Sequence, residues 1–116
     1  MQRALAAILL GLSCGLAQAA DSIRVYNWND YIAPQVLENF TRDTGIEVEY
    51  HTFASAEELA QALESGQPID IAVPSHNELP GLIASGRIRP LDFKLLPNHT
   101  HLDKQLLSKL AAVDPQ

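Results

Sequence analysis

The chain has 116 residues, 47% of them hydrophobic, and carries 14 acidic against 8 basic side chains for a formal net charge of −6. That balance argues against nucleic acid or an anionic membrane surface as a partner, since both would repel it. The one cysteine excludes an intramolecular disulfide, and without a phosphate loop or a G-x-G-x-x-G run nucleotide binding has no support.

Met1-Gln2-Arg3 is a short positive start, Ala4 to Ala17 is nearly all apolar or small, and Ala17-Gln18-Ala19 is an A-x-A cleavage pattern. Residues 1–19 are therefore predicted to be a cleaved secretory signal peptide, cut before Ala20. The apolar run falls short of the roughly 20 residues that a membrane span needs. Cys14 lies inside this leader; the run Gly11-Leu12-Ser13 before it fits a lipoprotein signal poorly, so lipid anchoring is the weaker reading. Cleavage removes Arg3, the leader's only charged residue, together with the only thiol. Residues 20–116 remain, about 100 residues, enough for one small domain with a marginal core.

Ser22–Asn27 reads as a first strand. A helix follows from Tyr31 or Ile32, with Pro34 in its first turn, where a missing N–H costs nothing. Its inward face is Ile32, Val36, Leu37 and Phe40, and Gly45 is its stop. Ile46–Phe53 alternates apolar and polar positions, the period of a half-buried strand. Ser55 and Glu58 have capping-box spacing before a helix with Ala56, Leu59, Ala60 and Leu63 inward and Gly66 at its end. Ile69–Val73, bounded by Pro68 and Pro74, reads as a buried strand. Ser75 or Asn77 then opens a third helix, with Leu79, Leu82 and Ile83 inward, Pro80 in its first turn and Gly86 closing it. Arg87–Pro97 is a proline-punctuated connection, and Asp103 caps a last amphipathic segment carrying Leu106, Leu107, Leu110 and Val113.

This β-α-β-α-β-α alternation is the pattern of an α/β fold with a parallel sheet and right-handed crossovers. A strand order of 2-1-3 would bring the C-terminal ends of strands one and three together, where open α/β sheets bind ligands. Those ends are Trp28–Tyr31 and Ser75–Asn77. Aromatic faces attract organic cations, and a carboxylate accepts from N–H donors, so Trp28, Asn29, Asp30 and Tyr31 read as a loop for a small cationic ligand. The plainer alternatives are a packing role for Trp28 and Tyr31, a turn role for Asn29, a helix-end role for Asp30 and a helix cap for Ser75. Ser75 beside His76 lacks a nucleophile-elbow sequence, so acyl transfer is not expected. His99, His101 and Asp103 put three possible zinc ligands within five residues, but no cysteine and no pattern of residues to orient the ligands supports a site, and a solvated loop is the better reading. No cofactor is implied.

Val25-Tyr-Asn-Trp-Asn-Asp-Tyr-Ile32, Phe40 through Thr44-Gly-Ile46-Glu-Val48, and Asp70-Ile-Ala-Val-Pro-Ser75 carry a resemblance to periplasmic polyamine-binding proteins, the putrescine and spermidine receptors of ABC importers. Ser85-Gly86, Pro90-Leu-Asp92 and Leu96-Pro97 continue it, so it covers essentially all of residues 20–116. The resemblance implies a type II periplasmic binding protein whose two lobes close on the ligand, monomeric when complete, with an ABC permease at the inner membrane as partner. It also implies that Trp28 and Tyr31 pack on the polyamine's methylene chain while Asn29, Asp30 and Ser75 hold one ammonium end. Asn29 stands where Ser or Thr is usual, and His76-Asn77 replaces small or aromatic residues, which makes His76 a candidate ligand contact. Members run to roughly three times this length, as expected of two ordinary domains. The chain is accordingly expected to be part of the N-terminal lobe, with an open sheet edge and an uncovered apolar face. Putrescine is the favoured ligand; other readings are a different small amine or amino-acid-like solute, an exported enzyme, or a nonfunctional truncated product.

Overall fold

The computed structural model describes residues 21–114. The expected signal peptide, its cleavage site and Cys14 lie outside the described residues. Three parallel strands, β1 (Ser22–Trp28), β2 (Glu47–Phe53) and β3 (Ile71–Ala72), form a sheet in the order β2-β1-β3. The expected α/β class and the 2-1-3 order are both found. The helices are α1 (Pro34–Thr44), α2 (Ala56–Glu64), α3 (Leu79–Ala84) and α4 (Lys104–Leu110).

Local chemistry explains most boundaries. Pro34 opens α1, and Gly45, with φ of 75°, closes it by donating its N–H to the Thr41 carbonyl at 2.8 Å. At α2 the Ser55 hydroxyl accepts from the Glu58 N–H at 3.3 Å, and the Glu58 carboxylate accepts in turn from the Ala54 N–H at 2.9 Å. Two N–H groups that the helix leaves without carbonyl partners are thus satisfied. Ser55→Ala should lower stability by about 1 kcal/mol. Urea unfolding followed by circular dichroism reads this, and an unchanged midpoint would show the cap to be idle.

β1 and β2 pair in register from Ser22↔Glu47 to Trp28↔Phe53. Every second pair shares a face, so one face carries a ladder of three contacts. Arg24 Nε lies 3.3 Å from Glu49, the Tyr26 and His51 rings stack at 4.6 Å, and the Trp28 and Phe53 rings meet edge to face at 4.7 Å. The polar rung lies at the N-terminal end of the strands and the apolar rung at the C-terminal end. Helix α2 covers the apolar part. Tyr26, Phe53 and Leu59 are buried together, with Trp28, Ala62, Leu63, Ile69 and Ala72 packed around them.

Several expectations are corrected. β3 is neither as long as Ile69–Val73 nor buried, since Ile71 is 49% exposed. Asp70 starts its pairing: the Asp70 N–H donates to the Arg24 carbonyl at 3.0 Å, and its carboxylate accepts the Arg24 N–H at 2.8 Å. Pro74, without an N–H, follows the last inter-strand bond, from Val73 to Tyr26. α3 begins at Leu79 rather than Ser75 or Asn77, which puts Pro80 in the first turn. The connection expected over Arg87–Pro97 includes a 3-10 turn at Phe93–Leu95, and a second 3-10 segment spans Pro97–His101. Asp103 caps α4 as expected, accepting from Gln105 and Leu106. The predicted inward faces of α1 and α4 are partly open, with Val36, Phe40, Leu106 and Leu107 exposed. Ile71, Leu91 and Phe93 are exposed as well, in keeping with the expected uncovered apolar face.

Candidate ligand-binding site

β1 delivers Trp28 at its last position, and the chain turns immediately beyond it. The Asn29 N–H donates to the Phe53 carbonyl at 3.0 Å, carrying strand pairing one residue past β1. Asp30 then adopts φ of 60°, a left-handed conformation that costs most L-residues about 1–2 kcal/mol and that Asp and Asn tolerate best. This reversal leads into Tyr31, which is 69% exposed. The Trp28 and Tyr31 rings lie 6.5 Å apart at 36°, a tilted aromatic wall at the sheet's C-terminal end. Beneath it, the buried Asn27 side chain, 4% exposed, accepts the Trp28 N–H at 2.8 Å and fixes the backbone from which the indole projects.

The packing role weighed for Trp28 is met, and part of its surface stays open. One edge packs on Phe53 in the core, and the residue as a whole is only half-buried. Tyr31 has no comparable packing role. Asn29 and Asp30 are exposed.

The second loop leaves β3. Since Tyr26 pairs with Ala72, the residues after Trp28 and those after Pro74 emerge at the same end of neighbouring strands. Ser75 is half-buried there, and His76 and Asn77 are exposed. Ser75 does not cap α3, because Glu78 is the N-cap residue and the Ser75 hydroxyl makes no hydrogen bond among the described residues. Glu78 closes the turn instead: its carboxylate accepts the Ser75 N–H at 2.8 Å, and its own N–H donates to the Ser75 carbonyl at 3.0 Å. From sequence Glu78 was read only as the end of the Ser75–Glu78 stretch that could cap the third helix, not as a site residue; its place three residues after Ser75 was the signal. His76 makes no hydrogen bond among the described residues.

Next to this loop lies an open apolar groove of about 470 Å³, with Pro74, Leu79, Ile83, Ile88, Leu91 and Phe93 among its walls. None of Trp28, Asn29, Asp30 or Tyr31 borders it, so it is separate from the aromatic wall. The His99 and Phe93 rings lie 5.0 Å apart, tilted by 37°, and His99 Nδ1 lies 2.6 Å from the Leu96 carbonyl. Among the described residues no three potential metal ligands come together.

Known proteins match the chain in sequence and in fold. The chain is 45% identical over 114 residues to the putrescine-binding periplasmic protein SpuD of Pseudomonas aeruginosa, covering 96% of this chain and 31% of that protein. It is 40% identical to the putrescine-binding periplasmic protein PotF of Escherichia coli, covering 95% of this chain and 30% of that protein. Its homologues are periplasmic polyamine-binding proteins. Among solved structures, the spermidine/putrescine ABC transporter substrate-binding protein PotD of Streptococcus pneumoniae superposes with a TM-score of 0.62 at 37% identity. That match covers 65% of this chain and 24% of PotD. The Tp0655 lipoprotein of Treponema pallidum superposes with a TM-score of 0.75 over 83% of this chain and 30% of its own, at 24% identity, and speaks for the fold alone. No family model matches the chain. The chain spans about a third of the length of the curated relatives it matches. Those polyamine-binding relatives carry the names of transport proteins rather than enzymes, and the parallel sheet of this chain is a portion of their lobe architecture.

Proposed function

We propose that this chain forms one wall of a periplasmic polyamine receptor, with putrescine as the favoured ligand and an ABC permease as the partner that takes up the captured solute. The observation that carries this reading is the Trp28–Tyr31 wall with Asp30 on the turn between them, at the end of β1 beside the end of β3. A protonated diamine presents a flexible methylene chain and two ammonium groups. The methylenes and an ammonium would lie against the rings through packing and cation–π attraction. Asp30, Asn29 and the uncapped Ser75 hydroxyl supply acceptors for the ammonium N–H groups, and His76 lies at the rim. Nothing in this set performs chemistry on the ligand; the activity is capture and release. Residues 1–19, read as a signal peptide, would direct the product to the periplasm, and residues 20–116 would contribute part of one lobe.

Trp28 is the chain's only tryptophan, so its emission reports on the proposed site directly. Titration with putrescine should change that emission saturably, with a Kd of about 1 mM or tighter. Butane-1,4-diol, of the same length without charge, should not. No response to putrescine, or an equal response to the diol, would overturn the reading.

A further inference from the structure

Glu78 has no role in the site as read from sequence, yet it sets the chemistry of the β3–α3 turn. A backbone N–H at this place would ordinarily offer a donor to the carboxylate of an incoming solute. Here the Ser75 N–H is already taken by the Glu78 carboxylate at 2.8 Å, and both residues are half-buried. No Lys or Arg among the described residues pairs with Glu78. The turn thus keeps a negative charge and a Ser75 hydroxyl that no internal bond engages, while its backbone donor is consumed. We propose that Glu78 is a specificity-determining residue that converts this turn from a donor surface into an acceptor surface, admitting ammonium groups and rejecting solutes that carry a carboxylate. The inference rests on the amine-receptor reading and narrows it, because it separates diamines from amino-acid-like ligands. An anion brought to the turn would meet the Glu78 charge and no free backbone donor, and discrimination of this kind rests on the repulsive element as much as on the attractive one.

The test compares putrescine with ornithine, the same diamine bearing one added carboxylate, on the full chain and on two variants. Glu78→Gln keeps an acceptor for the Ser75 N–H and removes the charge; Glu78→Ala removes both. The preference for putrescine over ornithine should fall about tenfold in Glu78→Ala and by a smaller factor in Glu78→Gln. Amide hydrogen exchange at Ser75 should accelerate in Glu78→Ala and stay near the parent rate in Glu78→Gln. An unchanged preference ratio in both variants overturns the proposal, as does an unchanged Ser75 exchange rate in Glu78→Ala. Should Glu78→Ala fail to fold, the ratio in Glu78→Gln decides. If the parent chain binds neither compound, the amine-receptor reading fails, and with it the selectivity assigned to Glu78, whereas the exchange rate still shows whether Glu78 fills the Ser75 donor.

Discussion

Asp30→Asn should weaken putrescine binding by about 10- to 100-fold while leaving the unfolding midpoint where it is. The size follows from the bond lost: a hydrogen bond to a charged group contributes about 1.5–3 kcal/mol, and the amide keeps the shape of the carboxylate without its charge. The unchanged stability follows from the backbone. Asp30 sits at φ of 60°, and Asn is among the few residues that occupy this region readily. Its side chain is exposed and forms no ion pair among the described residues, so folding loses little when the charge goes. Asp30→Ala is a poor substitute for the test, because alanine resists the left-handed conformation and would mix a folding defect with a binding defect. Isothermal titration calorimetry with putrescine, run beside thermal unfolding of both proteins, separates the two effects. Binding within twofold of the parent would remove Asp30 from the site and leave the aromatic rings to hold a cation without a counter-charge.

What was legible in the sequence was local. The stop at Gly45, the Ser55–Glu58 cap, the Asp103 cap and the period-2 alternation of β2 depend on neighbours within a few residues, and each stands in the structure. The strand order was an inference from the topology of open α/β sheets, and the loop after β1 stood out by two aromatics and a carboxylate at a strand end, residues that packing, turn and helix-end roles could also explain. Less legible were features decided by partners distant in sequence. Asp70 looks out of place in an apolar run until its paired bonds to Arg24 place it at the start of β3's pairing. The apolar spacing of α1 and α4 predicts an inward face, yet periodicity says only which residues share a side. Whether that side is covered depends on what lies against it, and Val36, Phe40, Leu106 and Leu107 remain exposed. Ser75 and Glu78 show the same limit at the site. Either could serve the end of α3 on paper; the turn geometry gives the backbone closure to Glu78 and leaves the Ser75 hydroxyl uncommitted.

Leu59→Ala should have a large effect on folding and should disturb the site without touching it. Leu59 is completely buried and joins α2 to the Tyr26–Phe53 face of the sheet. Truncating a buried leucine costs about 2–5 kcal/mol, the sum of lost burial and of the cavity left behind. Small domains have roughly 5–15 kcal/mol in total, and a core whose buried apolar members among the described residues are Tyr26, Phe53 and Leu59 belongs at the low end. The substitution should therefore remove most of the urea resistance at 25 °C. The consequence for the site runs through Phe53. Leu59 packs with Phe53, Phe53 meets Trp28 edge to face at 4.7 Å, and the Phe53 carbonyl holds the Asn29 N–H at 3.0 Å. Loosening Phe53 thus frees both the indole and the first residue of the ligand loop. Leu63→Ala, at a half-buried position of the same helix, is the control and should cost about half as much or less. Urea titrations read by Trp28 emission and by circular dichroism give both numbers. A Leu59→Ala midpoint equal to that of Leu63→Ala would mean that the sheet and its first loop hold their shape without α2. The aromatic wall would then depend on the β1–β2 pairing alone.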